Sequence, residues 1–268
     1  MEKNNYQQLT RTFQRLSRFS HLSAIASWDM FTMMPAGGSA ARGEALAELS
    51  VLQHQILTDT KVADWLRNAE SEDLNDVEQA NLREMTRHYQ QAALLPESLV
   101  EAKSLAGSKC EHAWRTQRPA NDWPGFAANL KEVVKLSREE ARLRADAKGC
   151  TPYDALLDIF EPDMTSARLD VLFGDLKSWL PDLLNQVVEK QAQQSFVPPQ
   201  GPFPTAIQRE LGLEAMKTLG FDFNAGRLDV SAHPFCGGVP EDVRITTRYD
   251  EDELLSALFG VIHETGHA

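Results

Sequence analysis

Apolar positions recur at three- and four-residue spacing through the first two thirds of the chain, a pattern that predicts helix after helix. Leu9, Phe13 and Leu16 mark an opening helix expected to run into the twenties. Trp28-Asp29 and the run from Met34 through Pro35 to Gly38 interrupt that spacing with turn residues. Ser39 can cap a second helix whose inward stripe is Ala45, Leu49, Leu52 and Ile56. A short segment follows around Val62 to Leu66, then a longer, more polar helix from about Asn75 to Ala93. Pro96 opens another, continuing through Leu105 toward Trp114. Asn121 or Asp122 caps the next, with Pro124 in its first turn and Phe126, Leu130 and Val133 facing inward. A basic residue followed by glycine, Lys148-Gly149, suits its C-terminus.

Thr165 starts a strongly amphipathic helix with Leu169, Leu172, Phe173, Leu176, Leu180, Leu183 and Val187 on one face, which Pro181 is expected to kink or interrupt. Four prolines between Gln191 and Pro204 mark a surface linker. After Gly220 the period shortens to two. Leu228, Val230 and Ala232 share one side of a first run, and Val243, Ile245 and Thr247 one side of a second. With the turn-rich stretch from Cys236 to Pro240 between them, the two runs are expected to pair antiparallel. The last helix is expected to start at Asp250 as N-cap, with Glu253 three residues on and Leu254, Leu255, Leu258, Phe259 and Ile262 forming its buried face. The pattern thus predicts a mainly α fold with a small antiparallel β-sheet next to the final helix. The parts are a helical region over about 1–190, a linker over 191–204, and helix, sheet and final helix over 205–268.

That final helix carries His263-Glu264-Thr265-Gly266-His267. Histidines at i and i+4 lie one above the other on one helical face, so both rings can reach a single tetrahedral zinc ion. Glu264 between them can then take a proton from metal-bound water. The plain alternative makes His263 and His267 ordinary polar positions on a half-buried helix. Gly266 inside the helix costs about 1 kcal/mol against alanine, which suggests a close neighbour there. An edge strand beside such a helix can serve as a rail for an extended peptide.

Composition narrows the setting. A net charge of −12 over 268 residues argues against a nucleic-acid or anionic-membrane partner. No run approaches eighteen apolar residues, and the polar start at Met1-Glu2-Lys3 leads into no signal-like apolar segment. Cys110, Cys150 and Cys236 are few and scattered, as expected of reduced thiols in a cytoplasmic protein.

Three ordered motifs add a resemblance. With His233-Pro234-Phe235, then Asp242-Val243-Arg244-Ile245-Thr246, then His263-Glu264-Thr265-Gly266-His267, the chain resembles the carboxypeptidase Taq family, whose signatures include HPF, DxRxT and HExxH. Trp28-Asp29, Met34-Pro35 and Arg42 also look like that family's opening. The likeness implies a largely helical metallopeptidase with a deep cleft and a broad-specificity carboxypeptidase activity. It also implies zinc, or sometimes cobalt, a peptide substrate and a homodimer. Carried over, it makes His263 and His267 metal ligands and Glu264 the catalytic base, and it places His233, Asp242, Arg244 and Thr246 along the substrate cleft. The family's third ligand, a glutamate further downstream, has no counterpart here, and Ala268 closes the chain in mid-helix. The chain is therefore expected to be the N-terminal part of one metallopeptidase domain, to bind zinc weakly or not at all, and to hydrolyse no peptide. Two other readings stay open: a different HExxH peptidase, cutting internally or from the N-terminus, and a non-catalytic helical interaction module.

Overall fold

The computed structural model describes residues 4–195 and 197–268, which form ten helices and three strands. The chain divides into two compact units. One comprises Met1–Leu136 with Gly201–Ala268, the other Ser137–Gln200.

In the first unit, α1 (Asn5–Thr32), α3 (Thr60–Ala69) and α4 (Asp76–Ala93) enclose a core of Tyr6, Leu9, Val62, Leu66, Ala69 and Leu82. The starts of these helices are chemically fixed. Asn4 accepts from the Gln7 amide, and Glu72 accepts from the amides of Asn5 and Tyr6, satisfying donors that a helix N-terminus leaves free. Asn75 and Glu78 form a capping box at α4. α1 does not stop at Trp28-Asp29. It runs on to Thr32, because Trp28 and Met30 are buried and Asp29 is held by Arg42 at 2.7 Å.

α2 (Ser39–Leu57) packs against α5 (Glu97–Gln117), but through Gly43 and Ala47, whereas Ala45 and Leu52 are exposed. Small residues win this face because the helices approach closely: a methyl on Gly43 would lie 3.5 Å from Ser108 Cβ. α6 (Trp123–Lys148) follows, ending as expected before Gly149, which adopts φ +68°.

The second unit takes in the end of α6, then α7 (Pro152–Phe160) and α8 (Ser166–Ala192). Nine-residue α7 is too short to stand out by periodicity, yet Thr151 caps it and Pro152 opens it. Glu140 and Arg144 pair at 2.7 Å inside α6, and Lys148 pairs with Asp158 of α7. α8 starts where expected, with Thr165 as its cap accepting from the Arg168 amide. Asp154 accepts from the Ser166 amide and hydroxyl at 2.7 Å each, which holds its carboxyl below the usual range. Of the kink or interruption expected at Pro181, the interruption does not occur, and the helix runs through it. α8 has no buried residue, so water can serve the carbonyl that Pro181 leaves without a donor.

The remainder returns to the first unit. α9 (Thr205–Thr218) precedes β1 (Gly226–Val230), β2 (Phe235–Val239) and β3 (Asp242–Thr247), and α10 (Leu255–His267) closes the chain. The sheet order is β1-β3-β2. β1 and β3, expected to be antiparallel, are parallel, and the stretch taken as their turn is itself a strand, β2, antiparallel to β3. The glycines that suggested a turn serve the strand instead. Gly238 sits at φ +105°, where a Cβ would fall 2.1 Å from the Asp242 carbonyl oxygen. The reversal lies beyond it, at Pro240-Glu241.

One face of this mixed sheet packs Leu228, Val243 and Ile245 against Met216 of α9 and Val261 of α10. α10 begins at Leu255 rather than just after Asp250. The Glu253 carboxylate accepts from the amides of Leu255 and Ser256, while Asp250 closes a local turn by accepting from the Asp252 amide. Its buried face also differs from the expected one. Ala257, Val261, Glu264 and Thr265 face inward, whereas Phe259 is 61% exposed and Ile262 is exposed too. Close packing on the sheet and on Gly212 of α9, whose position lies 3.5 Å from a Val261 methyl, selects the smaller side chains.

Candidate metal centre

The last two turns of α10 display both histidines to solvent and turn Glu264 inward. His263 Nε2 and His267 Nε2 lie 3.2 Å apart, and their rings cross at 85° with centroids 4.8 Å apart. Two nitrogens at roughly 2.0–2.1 Å from one tetrahedral zinc would be about 3.3 Å apart, so the pair has the span of two ligands on one ion. Glu264 is only 9% exposed and sits between them in sequence. Gly266 has no close neighbour: a Cβ there would meet nothing within 4 Å. Among the described residues no group of three or more His, Cys, Asp or Glu side chains could hold a metal ion. The donor set therefore fits two positions of a catalytic zinc and leaves the usual third protein donor to another source.

A cleft of about 520 Å³ opens beside this helix end. Glu264, His267 and Ala268 form one side. The other is the segment from His233 through β2 to Pro240, with Val243 behind it. Among the described residues β2 is hydrogen-bonded to β3 alone, so it is an edge strand, and its residues line the cleft. Cys236 points to the α10 side of the sheet, where burial and the nearby Glu264 charge both push its thiol pKa upward. All three cysteines are free thiols.

Of the four residues expected along the cleft, His233 lines it. Asp242, Arg244 and Thr246 do not appear in its wall. They alternate with Val243 and Ile245 along β3 and so point to the opposite face, toward α1. Thr246, fully buried, braces the wall from behind: its hydroxyl oxygen accepts from the Phe235 amide at 3.0 Å. It lies 2.9 Å from the Ser231 hydroxyl, which in turn donates to the His233 carbonyl. Arg244 pairs with Asp242 at 2.5 Å, and His21 of α1 approaches the other Asp242 oxygen at 3.2 Å.

Arg227 and Arg244 occupy directly paired positions on β1 and β3, an arrangement that would repel without compensation. Asp229 and Asp242 neutralise them, and both guanidiniums lie over the Trp28 ring, at 5.4 and 4.8 Å from its centre. Phe31, one turn further along α1, meets Phe235 edge to face at 5.4 Å and is itself covered by Arg115 at 4.8 Å. Phe31, Ser231 and Cys236 were not legible as site residues from the sequence. On the α1 side, Trp28 carried a signal as part of the opening motif, as Asp242 and Arg244 did as part of theirs.

Residues 8–268 match the profile of the carboxypeptidase Taq (M32) metallopeptidases. Thermostable carboxypeptidase 1 of Thermus thermophilus is 38% identical over 98% of this chain and 54% of its own length. Carboxypeptidase 1 of Bacillus subtilis is 33% identical over 95% of this chain and 51% of its own. Among solved structures, Trypanosoma cruzi metallocarboxypeptidase 1 superposes with a TM-score of 0.84 at 49% identity, covering 98% of this chain and 54% of that one. The chain thus spans about half the length of the curated relatives it matches.

Proposed function

Since this chain belongs to the carboxypeptidase Taq (M32) metallopeptidase family, we propose that it forms the metal-helix half of a carboxypeptidase that removes C-terminal residues from peptides. The observation that carries this reading is the 3.2 Å separation of the two Nε2 atoms, with His267 and the buried Glu264 lining a cleft walled by the edge strand β2. His263 and His267 would hold the metal, zinc by their chemistry. When bound, that ion supplies a Lewis acid that polarises the scissile carbonyl and acidifies water. Glu264 accepts the proton of the attacking water and returns it to the leaving amine. Its inward position beside β2 keeps the carboxylate aimed at the cleft. The extended substrate backbone pairs with the free edge of β2, and His233 and Phe235 set the width of the groove.

Catalytic zinc ordinarily takes three protein ligands, so the 268-residue chain by itself binds zinc weakly and is inactive. Activity, broad specificity and homodimer formation belong to the chain joined to material equivalent to the other half of its relatives. The test is a chimaera in which this chain replaces the matched half of the Thermus thermophilus relative. It should release residues one at a time from an N-terminally blocked peptide with a free C-terminus and none from its C-terminal amide. Glu264→Gln should lower the rate by about 10²–10⁴-fold. Internal cleavage, or equal turnover of the amide, would favour a different HExxH peptidase.

A further inference from the structure

β2 is held at its first residue by the Thr246 hydroxyl and the Phe31 ring. Its far end is held differently. Val239 pairs with Asp242 across the Pro240-Glu241 reversal, and both Val239 and Pro240 line the cleft. Asp242 therefore marks the point where the cleft wall turns back into β3. One of its carboxylate oxygens meets Arg244, which lies over Trp28, and the other meets His21 Nε2 at 3.2 Å. His21 and Trp28 are seven residues apart on α1, two turns or about 10 Å along the helix. The start of β3 is thus tied to α1 at two separated points.

The His21 ring has no other polar partner. A carboxylate only accepts, so Nε2 carries the donated proton, and Nδ1 is buried without a partner among the described residues. α10 runs beside β2 in the same direction and at a matching rise. A methyl on Gly260 would lie 3.7 Å from Pro234 Cγ, and Glu264, four residues on, lies near Cys236, two residues on. Four helical residues and two strand residues both advance about 6–7 Å. That register brings His267 alongside Gly238, with Val239 and Pro240 just beyond in the same cleft. The end of the wall that His21 ties down is therefore the end that faces the second histidine. His21 itself does not line the cleft, so it can act there only through Asp242. We propose that His21 is a positioning residue. By holding Asp242 to α1 it sets the width of the groove between the end of β2 and His267, and so how tightly an extended peptide is gripped there. The grip on a peptide rests on the carboxypeptidase reading, whereas the tie itself does not.

The test has two readouts. In the 268-residue chain, His21→Leu keeps an apolar side chain but loses the donor. It should speed amide hydrogen exchange across residues 237–244 about 3- to 10-fold, with residues 62–69 of α3 unchanged. His21→Gln, which can still present an N–H, should restore the protection. In an Asp242→Ala background, His21→Leu should add nothing, because the partner is already gone. In the chimaera with the Thermus thermophilus relative, His21→Leu should raise KM about 3- to 10-fold and leave kcat within about twofold, as expected of a residue that acts on binding. The proposal is overturned if exchange is unchanged in His21→Leu, if His21→Gln fails to restore it, or if kcat falls while KM holds. A wild-type chimaera that releases nothing removes the carboxypeptidase reading, and the exchange comparison still decides the tie.

Discussion

The two faces of the three-stranded sheet are built from alternate residues of the same strands, and they hold their neighbours by opposite means. Toward α9 and α10, Leu228, Val243 and Ile245 close a dry contact with Met216 and Val261. Toward α1, Arg227, Asp229, Asp242 and Arg244 spread over Trp28 and His21, with Thr246 and Phe235 beside them. The dry face fixes where α10 lies. The charged face fixes where the cleft wall lies relative to α1. A sequence motif such as Asp242-x-Arg244-x-Thr246 therefore need not touch substrate to matter. It sets the position of β2, the strand proposed to meet the substrate.

If this division of labour is right, single substitutions separate it. Ile245→Ala, at a fully buried position on the dry face, should cost about 2–5 kcal/mol in denaturant unfolding and loosen α10 against the sheet. A loss below about 1 kcal/mol would mean that the sheet does not anchor the helix. On the charged face, Trp28→Leu keeps an apolar side chain but removes the aromatic surface under two arginines. The expected cost is about 2 kcal/mol, and added salt should reduce it by screening the exposed repulsion. Thr246→Val is close to isosteric and removes the hydroxyl that accepts from the Phe235 amide and meets the Ser231 hydroxyl. It should cost about 1–2 kcal/mol and accelerate hydrogen exchange at that amide, while Thr246→Ser should keep the protection.

Much of this was legible because the signals are local. The helix starts near Asn75 and at Thr165, Gly149 after α6 and the i, i+4 histidines all depend on residues within one or two turns. What was not legible depends on partners far along the chain. α2 buries Gly43 and Ala47 because Ser108 and its helix come so near, and α10 buries Ala257 and Val261 because Gly212 and the sheet do. A hydrophobic stripe says that something apolar will be covered, not by what. Leu52 and Phe259 show that the larger side chains can lose that competition. Strand direction was misjudged for a similar reason. Gly237-Gly238 has the composition of a turn, and only the approach of the Asp242 carbonyl shows why a strand needs glycine there. In the site, Glu264 and both histidines could be named in advance. Thr246 could be named too, but not its place behind the wall with Phe31, Phe235 and Ser231, since these sit on three separate elements and a connecting loop.

The most direct test of the metal centre is a zinc titration of this chain, followed by the imidazole ¹⁵N shifts of its seven histidines. His263 and His267 should move together, with weak one-to-one binding that His263→Ala abolishes and Glu264→Gln leaves in place. Zinc shifts that spare these two rings, or uptake unchanged in His263→Ala, would contradict the assignment of α10 as the metal helix.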